Sequence, residues 1–449
     1  MAGMELLPRL TARALASAIK LAGAGQASSL PGKVTNRLFP GYLHAHAAGL
    51  TEGLAIVTGT NGKTTTANMA ALVLQDAGRQ IVHNFEGANL LSGIATAFSR
   101  RPDARFALLE VDEAIAPLAV RCLRPPGAIV LTNLFRDQLD RYGEVDRLAT
   151  GWQKMLEELP DVTLIANADD PLVAWVAQQS GWPTVFFGVE GLTEGAGNEV
   201  SDVTTCPRCA TMLHYSARWL SQLGEYDCPN CGFARPPRRL WAQADRLVTA
   251  PDGTVTVPLG GDVQAGLRLR VPGLHTVYNA LGTLALTSHL GVASEQALAS
   301  LARYQPVFGR WSCVRRGQTL VQVNLAKNPA GMNQTLRTVG AVPGPKALIF
   351  VLNDNIADGR DISWIWDIDM EDLLPEAEAI VTTGTRRHEM ALRLKYAGVP
   401  TAKVQTTPSL AAALELLQRR GQNSIYLLPT YTALKEVRRT LAGWDPVAQ

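Results

Sequence analysis

A glycine-rich loop between a strand and a helix constrains this chain more than any other stretch of its sequence. Residues 54–57 form a short apolar run, Gly59 and Gly62 interrupt it, and a stretch of helical composition follows Lys63. Backbone N–H groups can close around phosphate oxygens only where side chains are missing, and a helix N-terminus adds partial positive charge. The order strand, glycine loop, Lys-Thr and helix therefore predicts a phosphate-binding loop.

The loop itself runs Gly59-Thr60-Asn61-Gly62-Lys63-Thr64-Thr65, and all of these residues are candidates for nucleotide contact. Lys63 is predicted to reach the β- and γ-phosphates, and Thr64 to offer its hydroxyl to Mg²⁺. Two residues separate the glycines here, whereas the usual motif has four, so this is a shorter variant. A chance glycine-rich turn is the alternative, which the correctly placed strand and helix disfavour.

Length and charge restrict the classes of protein that remain. At 449 residues the chain is too long for one hydrophobic core, which predicts two or three domains. The net charge of +2 argues against a nucleic-acid-binding protein, for which a basic face is expected. No apolar run reaches the ~18 residues of a membrane span. Residues 6–21 predict an amphipathic helix packed on the protein, with contact at the inner face of the membrane as the alternative interpretation.

Strand-like and helix-like segments alternate after the glycine loop. Apolar runs at residues 80–83, 106–111, 128–132 and 162–166 are predicted strands, with helical stretches between them such as residues 145–159. Such alternation predicts βαβ units and a mostly parallel sheet with helices on both faces. In sheets of this kind, ligands bind at the carboxyl ends of the strands.

Three polar clusters follow these predicted strands directly. Glu110 ends one strand together with Asp112 and Glu113, and acids beside a phosphate loop are candidate Mg²⁺ ligands. Each cluster alone is a weak signal, because a solvated loop is also polar, but three at the same topological position predict one site. The other two clusters are Thr132-Asn133 with Asp137 and Asp140, and Asn167-Ala168-Asp169-Asp170.

Four of the six cysteines stand in two Cys-x-x-Cys pairs, Cys206 with Cys209 and Cys228 with Cys231. Each pair can grip one ion from a tight turn, and two pairs complete a tetrahedral Zn²⁺ site with no open position. We therefore predict a structural zinc ribbon, inserted at about residues 202–235, in a protein of the reducing cytoplasm. A redox pair is the alternative.

The second half of the chain predicts a helix followed by another α/β alternation. His275 and Asn279 lie one turn apart on that helix, a placement that capping alone would also explain. Residues 308–311 are interpreted as an interdomain linker, and strands and helices alternate again from about residue 318. The predicted organisation is an N-terminal helical segment at 1–53, a central ATP-binding P-loop domain at 54–305 and a smaller α/β C-terminal domain at 306–449.

One loop of the predicted C-terminal domain combines acids with aromatic residues. Residues 353–367 hold four acids and two tryptophans, Trp364 and Trp366, directly after a predicted strand. A plain loop would not need tryptophans beside so many acids. We therefore predict a functional or partner-facing loop.

Taken together, these residues resemble the Mur ligase family over roughly residues 54–340. The matching features stand in the family's order: the glycine loop, Glu110, Thr132-Asn133 with Asp137 and Asp140, Asn167 to Asp170, His275 with Asn279, and Gly309-Arg310. The cysteine ribbon, residues 325–329 and residues 358–367 resemble one branch of that family, which supplies the ligase subunit of lipid II isoglutaminyl synthase. With them, the resemblance covers nearly the whole chain.

The resemblance implies a two-step reaction. ATP phosphorylates the α-carboxyl of D-glutamate in the lipid II stem peptide, and ammonia then displaces the phosphate to leave D-isoglutamine. Carried over residue by residue, Lys63 and Thr64 would hold phosphates and Mg²⁺, and Glu110 would be a further magnesium ligand. Asn279 would contact the adenine and Arg310 the nucleotide near the hinge. Stabilising the charge on transferring phosphoryl oxygens is the physical core of such catalysis.

The resemblance also implies a partner, the glutamine amidotransferase subunit GatD, which would supply the ammonia. An aspartate of the 354–361 segment is implied to orient the partner's catalytic histidine, and completing a Cys-His pair with a carboxylate is sound chemistry. Asp361 is the first candidate and Asp358 the second, and the sequence leaves both open.

The chain departs from the family pattern at three points. About fifty residues precede the glycine loop, where other members carry a UDP-binding domain, and this favours a lipid-linked substrate over a UDP-linked one. Gln138 stands where these ligases have His, which puts a metal role there in doubt. Lys154 is not clearly in register with the carbamylated lysine of the amino-acid ligases, so it is assigned no role.

Two other functions stay open at this point. One is an amino-acid ligase resembling folylpolyglutamate synthase, which would work alone and add glutamate instead of ammonia. The other is a nucleotide-binding scaffold with a degenerate site. The intact Lys63-Thr64, Glu110 and Asn279 argue against that decay, and the ribbon and the acidic tryptophan loop have no obvious purpose in a solitary ligase.

Overall fold

The computed structural model describes residues 30–101, 103–137, 145–192, 201–250 and 253–447. These residues form two α/β units, each built on one main sheet, with a cleft between them. The predicted helix at residues 6–21 lies outside the described residues, as do Gln138 and Asp140. Among the helices that are described, none combines the length and the apolar character that crossing a bilayer requires.

The first unit is built on a ten-stranded sheet. The strands of this unit, including a separate hairpin β7–β8, are β1 (Gly53–Thr58), β2 (Ile81–His83), β3 (Phe106–Glu110), β4 (Ala128–Leu131), β5 (Thr163–Asn167), β6 (Thr184–Glu190), β7 (His214–Leu220), β8 (Leu223–Asp227), β9 (Leu240–Gln243), β10 (Val248–Thr249), β11 (Val255–Gly261) and β12 (Gly266–Leu269). The sheet order is β10-β11-β9-β6-β5-β4-β1-β3-β2, with β12 paired to β11. Pairing is parallel from β2 to β9 and antiparallel beyond β9. The predicted, mostly parallel sheet is confirmed.

Helices cover both faces of this sheet. They are α1 (Leu30–Leu38), α2 (Tyr42–Ala48), α3 (Lys63–Asp76), α4 (Leu91–Arg100), α5 (Ala116–Cys122), α6 (Val145–Glu157), α7 (Pro171–Ser180), α8 (Leu274–His289) and α9 (Ser294–Leu301), with 3₁₀ turns at Phe85–Gly87 and Ala244–Arg246. Successive residues of β1 point to opposite faces. Ala55 and Val57 share a core with α3 and α8, whereas Leu54 and Ile56 share one with α4, α6 and α7. Because both faces are buried, the parallel strands read as unbroken apolar runs.

The cysteine-rich segment is an excursion from this sheet. Strands β6 and β9 are neighbours and pair in parallel, so the chain between them leaves the sheet, forms the antiparallel hairpin β7–β8 and returns. One cysteine pair precedes the hairpin and the other follows it. The predicted insertion of a four-cysteine ribbon into the P-loop unit is therefore confirmed.

The second unit is built on a seven-stranded sheet. Its elements are β13 (Arg310–Arg316), β14 (Thr319–Asn324), α10 (Pro329–Ala341), β15 (Ala347–Val351), a 3₁₀ turn (Ser363–Asp367), α11 (Met370–Leu373), β16 (Ala379–Thr383), α12 (Arg387–Tyr396), a 3₁₀ turn (Thr401–Lys403), β17 (Val404–Thr406), α13 (Leu410–Arg419), β18 (Ser424–Pro429), α14 (Leu434–Thr440) and β19 (Asp445–Val447). The order is β17-β16-β15-β18-β14-β13-β19. Pairing is parallel from β17 to β14 and antiparallel at the β13 and β19 edge. The second α/β alternation is confirmed.

The predicted linker at residues 308–311 is wrong in its second half. Arg310 and Trp311 belong to β13, the first strand of the second sheet. Trp311 has a φ of 60°, and the pairing register with β14 shifts between Arg310 and Ser312. A bulge of this kind breaks the regular alternation of a strand, so the sequence there does not look like one.

Candidate functional site

A cleft of about 1200 Å³ lies between the two units and gathers most of the predicted site residues. Its walls are the glycine loop, the carboxyl ends of β3 and β4, the first turns of α8 and the start of β13. The second unit adds the loop after β14 and the segment after β18. The predicted nucleotide and magnesium residues on these walls are Thr60, Asn61, Gly62, Lys63, Thr64, Thr65, Glu110, Asn279 and Arg310.

The glycine loop fits closely against its neighbours, which explains both of its glycines. Gly59 and Gly62 have φ values of 134° and 85°, which side chains rarely adopt. A Cβ on Gly59 would lie 2.1 Å from Thr132 Oγ1, and one on Gly62 would lie 2.2 Å from Asn279 Oδ1. The glycine loop therefore has no side chains at Gly59 and Gly62, next to the N-terminus of α3, as phosphate binding by backbone N–H groups requires.

Lys63 is buried and folded back over the loop. Its Nζ donates to the carbonyl oxygens of Gly59 and Thr60 and pairs with Glu113 Oε2 at 2.6 Å. Burial opposes ionisation of Glu113, but the attraction of Lys63 and Lys327 outweighs it, so the pKa of Glu113 lies below its usual value. Lys63 is thus surrounded by oxygen acceptors, and the oxygens of a bound phosphate would replace them.

Thr64 and Glu110 form a pair that suits a magnesium ion. Thr64 Oγ1 donates to Glu110 Oε1 over 2.9 Å, and Glu110 Oε2 is buried without a hydrogen-bond partner among the described residues. Burial raises the pKa of Glu110, and Lys63 and Thr64 partly oppose that rise. A buried carboxylate oxygen with no donor, beside a hydroxyl at a helix start, matches the oxygen ligands that Mg²⁺ takes. The residues present therefore fit the ion.

The second unit reaches into the site through the loop after β14. Lys327 Nζ forms an ion pair with Asp137 of the first unit. Next to it, Asn61 and Asn328 exchange side-chain hydrogen bonds of 3.3 and 3.1 Å. Burial raises the pKa of Asp137 against the opposing attraction of Lys327. The glycine loop and the loop after β4 are thus both tied to the second unit.

The helix α8 brings His275 and Asn279 to the cleft, which confirms their predicted shared face. Asn279 Oδ1 accepts from Thr66 Oγ1 over 3.3 Å. His275 Nε2 lies 3.2 Å from the indole nitrogen of Trp311, and indole can only donate, so we assign the ring proton to Nδ1. Burial and the nearby Arg310 lower the pKa of His275 to about 4, which keeps the imidazole neutral at pH 7.

Arg310 contributes a further positive charge to the cleft. It stands at the irregular start of β13 and lines the cleft. Burial lowers the pKa of Arg310, and Glu110 provides the largest opposing attraction. Arg310 and Lys63 therefore both act on the carboxylate of Glu110.

The third predicted cluster, residues 167–170, is buried in the interior of the first unit. Asp170 caps α7 by accepting from Leu172 N and Val173 N over 3.0 and 3.2 Å. Asp169 forms a 2.6 Å ion pair with Arg235, and both side chains are almost fully buried. These two acids hold structural bonds and do not line the cleft.

The four ribbon cysteines are arranged for one ion. Cys206 Sγ lies 3.6 Å from Cys231 Sγ, and Cys209 Sγ lies 3.5 Å from Cys228 Sγ. All four sulphur atoms fall within 4.8 Å of one another. A tetrahedral zinc site with Zn–S bonds of about 2.3 Å places its sulphurs roughly 3.8 Å apart, so the cluster fits zinc closely.

The structure separates the two aspartates that the sequence left as alternatives. Asp358 is 5% exposed and its carboxylate accepts from Thr432 N over 2.7 Å and from the Thr432 hydroxyl. Asp361 lies exposed on the surface, where Oδ1 accepts from Ser363 N over 2.8 Å. Asp358 therefore ties the loop to the segment that follows β18, whereas the Asp361 carboxylate is exposed to solvent.

Sequence reasoning missed the charge partners of this site. Glu113 appears in the sequence only as part of an acidic cluster, and Lys327 only as part of a polar loop. Ligands of parallel sheets bind at the carboxyl ends of the strands. Applied to the second sheet as it was to the first, this rule would have found Lys327, because Lys327 follows β14 as the other clusters follow their strands. The pairing of Lys327 with Asp137 joins residues 190 positions apart, and no local pattern indicates it.

Comparison with protein families and curated proteins gives matches over most of the chain. The model for the Mur ligase middle domain matches residues 57–213, and the model for the MurT ligase C-terminal region matches residues 325–434. The chain is 32% identical over 434 residues to the lipid II isoglutaminyl synthase (glutamine-hydrolyzing) subunit MurT of Streptococcus pneumoniae, covering 94% of each chain. The corresponding subunit of Staphylococcus aureus (strain COL) is 32% identical over 424 residues, or 93% of this chain and 94% of the relative.

Solved structures share the fold at low sequence identity. A pseudomurein peptide ligase type C from Methanothermus fervidus matches with a TM-score of 0.66 and 20% identity, over 87% of this chain and 79% of that one. A Mycobacterium tuberculosis folylpolyglutamate synthase complexed with ADP and AMPPCP matches with a TM-score of 0.60 and 15% identity, over 90% and 96%. These matches establish the Mur-ligase-like arrangement of two α/β units.

Replacing Lys327 tests the ion pair that joins the two units. We expect Lys327→Met to lower the free energy of unfolding by about 3 kcal/mol, because Asp137 stays buried without its counter-charge. The double variant Lys327→Met/Asp137→Leu should recover most of that loss. Urea denaturation measures both effects, with Arg121→Ala in the exposed Arg121–Glu158 pair as the control that changes little. If Lys327→Met and the control lost the same small amount of unfolding free energy, that result would contradict a stabilising ion pair between Lys327 and Asp137.

Proposed function

This chain belongs to the family of MurT ligase subunits, and we propose that it catalyses the ATP-dependent amidation of the α-carboxyl of D-glutamate in the lipid II stem peptide. The product is D-isoglutamine in the same peptide. The observation that carries the proposal is the convergence of Lys63 from the first unit and Lys327 from the second on one group of buried carboxylates. Such a group of charges suits a reaction in which a phosphoryl group moves between two bound substrates.

In the first step, a carboxylate oxygen of the substrate attacks the γ-phosphorus of ATP and ADP leaves. In the second step, ammonia attacks the carbonyl carbon of the resulting acyl phosphate, inorganic phosphate leaves and a proton is lost to give the amide. Lys63 holds the β- and γ-phosphate oxygens in exchange for its contacts to Glu113 and the loop carbonyls. Lys327 approaches from the opposite wall and stabilises charge on the transferring phosphoryl group.

Other residues of the cleft position the nucleotide. Thr64 and Glu110 would hold Mg²⁺, which neutralises phosphate charge when it is bound. Asn279, on the helix beside Gly62, contacts the adenine, and Arg310 contacts the nucleotide near the seam between the two units. The neutral His275 can donate from Nδ1, which is buried without a partner among the described residues.

The nitrogen source is a glutamine amidotransferase subunit, GatD, that docks at the loop after β15. The relatives are named as subunits of a glutamine-hydrolyzing synthase, which supports such a partner. Asp361 orients the catalytic histidine of that partner, because its carboxylate is exposed and accepts a local hydrogen bond from Ser363 N. Asp358 keeps the loop in place and does not reach the partner.

An amidation assay with ammonium chloride as the nitrogen source tests the ligase activity directly. Purified chain, ATP, Mg²⁺ and lipid II should give a product in which one carboxyl is replaced by an amide, detected by mass spectrometry. We expect Lys63→Ala to lower kcat by roughly 10²–10³-fold, as loss of a charge-stabilising group does. The exposed Lys154→Ala on α6 is the matched control and should retain full rate.

Incorporation of glutamate instead of ammonia in the same assay would contradict the proposal. That result would favour an amino-acid ligase resembling folylpolyglutamate synthase, whose fold the chain shares. Product that forms only when the amidotransferase and glutamine are added would mean that this chain needs its partner to be competent.

The role of Asp361 is tested by comparing the two nitrogen sources. We expect Asp361→Asn to lower glutamine-dependent amidation by roughly 10²–10⁴-fold, because a histidine without its orienting carboxylate loses most of its activity. Amidation with ammonium chloride should stay unchanged, because the ligase site is intact. Asp358→Asn should instead lower the melting temperature. Loss of glutamine-dependent activity in Asp358→Asn with an unchanged melting temperature, and none in Asp361→Asn, would reverse the assignment.

A further inference from the structure

The tip of the ribbon hairpin is buried, although hairpin turns usually lie at the surface. Ser221 and Gln222, which connect β7 to β8, are 3% and 0% exposed. Ser221 has a φ of 52°, a left-handed conformation that is uncommon for a residue with a side chain. Leu220, Ser221 and Leu223 line the cleft between the two units. The ribbon therefore contributes directly to the wall of the proposed active site.

The ribbon holds both sides of the segment that follows β4. Gln222 Nε2 donates to Leu134 O over 2.7 Å and lies 3.3 Å from Asp170 Oδ2. At the base of the ribbon, Asp202 Oδ2 accepts from Arg136 N over 2.8 Å, and the same carboxylate pairs with the Arg136 guanidinium. Residues 134–136 are thus fixed from the hairpin tip and from the ribbon base.

The opposite side of the same segment holds the glycine loop. Asn133 Oδ1 accepts from Asn61 N over 2.8 Å, and Asn133 O accepts from Thr60 N over 2.9 Å. Phe135 N donates to Thr60 Oγ1 over 3.0 Å. The segment then ends at Asp137, which pairs with Lys327. Residues 133–137 therefore lie between the ribbon on one side and the phosphate-binding machinery on the other.

The four cysteines determine whether the ribbon can act as a rigid support. Asp202 precedes the first cysteine pair, and the hairpin with Gln222 connects the first pair to the second. An ion held by all four sulphurs would fix the base and the tip relative to each other. The stem is also anchored, because Tyr226 OH donates to Ala168 O over 2.9 Å and Arg235 pairs with Asp169.

We propose that the zinc ribbon is a positioning element of the active site, in which Gln222 and Asp202 hold residues 133–137 against the glycine loop. The ribbon touches neither phosphate nor substrate carboxylate in this role. The ribbon fixes the position of Asp137, and the ion pair of Asp137 with Lys327 in turn fixes the position of Lys327. The side chains of Leu220 and Leu223 close the cleft on the ribbon side. Only the catalytic readout rests on the proposed ligase function.

Three variants of the full-length chain test this role: Gln222→Leu, Asp202→Asn and Met212→Ala. Met212 lies on the same ribbon but is 63% exposed, so it is the matched control. We expect all three to keep one zinc per chain by elemental analysis. Gln222→Leu and Asp202→Asn should show several-fold faster hydrogen–deuterium exchange in peptides covering residues 133–137. Their kcat should fall by roughly 10-fold, the effect of one lost buried hydrogen bond, with a smaller change in the KM for ATP.

Removal of the metal gives a second, independent readout. Cys209→Ser should lose its zinc and show the same faster exchange at residues 133–137, while the core strand peptides of β1 and β4 keep their protection. Asp202→Glu, which preserves the carboxylate, should recover part of the rate lost in Asp202→Asn.

Unchanged exchange at residues 133–137 in both Gln222→Leu and the zinc-free variant would overturn the proposal. A general rise in exchange across β1 and β4 would do so as well, because it would assign the ribbon to overall folding. If the wild-type chain proved inactive in amidation, the ligase proposal would fail. The exchange and zinc measurements would still decide the role of the ribbon.

Discussion

The pairing of buried opposite charges at the seam between the two units is the interaction on which the site depends. Lys63 pairs with Glu113 inside the first unit, and Lys327 of the second unit pairs with Asp137 of the first. The side chains of Lys63, Glu113 and Asp137 are at most 6% exposed, whereas that of Lys327 is 24% exposed. Buried charges are tolerated only when they are paired, and removing one partner is costly. Phosphate oxygens are negatively charged acceptors like the carboxylates, so a bound polyphosphate can replace the carboxylates as the partner of both lysines. The arrangement therefore offers compensated positive charge where a phosphoryl group would move.

The fold explains how these charges come together. A parallel sheet with helices on both faces puts the ends of β1, β3 and β4 at one edge, which gathers the glycine loop, Glu110 and Asp137 there. The second sheet repeats the arrangement, and the loop after β14 delivers Lys327 and Asn328. The ribbon, inserted between two strands of the first sheet, supports the loop after β4 from behind. Each unit thus supplies groups that the other unit needs.

Much of this could be predicted from the sequence, because the information is local. The strands β1, β3, β4 and β5 are apolar runs next to helical stretches, and their burial on both faces makes them conspicuous. The glycine loop is determined by backbone conformations at Gly59 and Gly62, and the four cysteines by chemistry that few other patterns share. The start of β13 was missed because Trp311, with a φ of 60°, interrupts the alternation that identifies a strand.

What the sequence could not provide depends on contacts between distant residues. Lys327 and Asp137 are 190 positions apart, so neither reveals the other. Residues 167–170 have the composition of ligands, yet Asp169 and Asp170 are taken by Arg235 and by the start of α7. Asp358 and Asp361 differ in burial and in hydrogen-bond partners, and both are properties of the folded loop. Asp140, a member of the second predicted cluster, and Gln138, which departs from the family pattern, lie outside the described residues.

The transfer of oxygen from the substrate to phosphate tests the central claim most directly. Lipid II labelled with ¹⁸O at both α-carboxyl oxygens of D-glutamate would be incubated with the chain, ATP, Mg²⁺ and ammonium chloride. If an acyl phosphate forms in this cleft, the released inorganic phosphate should carry one ¹⁸O, the amide should keep the other, and ADP should be the nucleotide product. Unlabelled phosphate, or ¹⁸O recovered in AMP, would contradict the account.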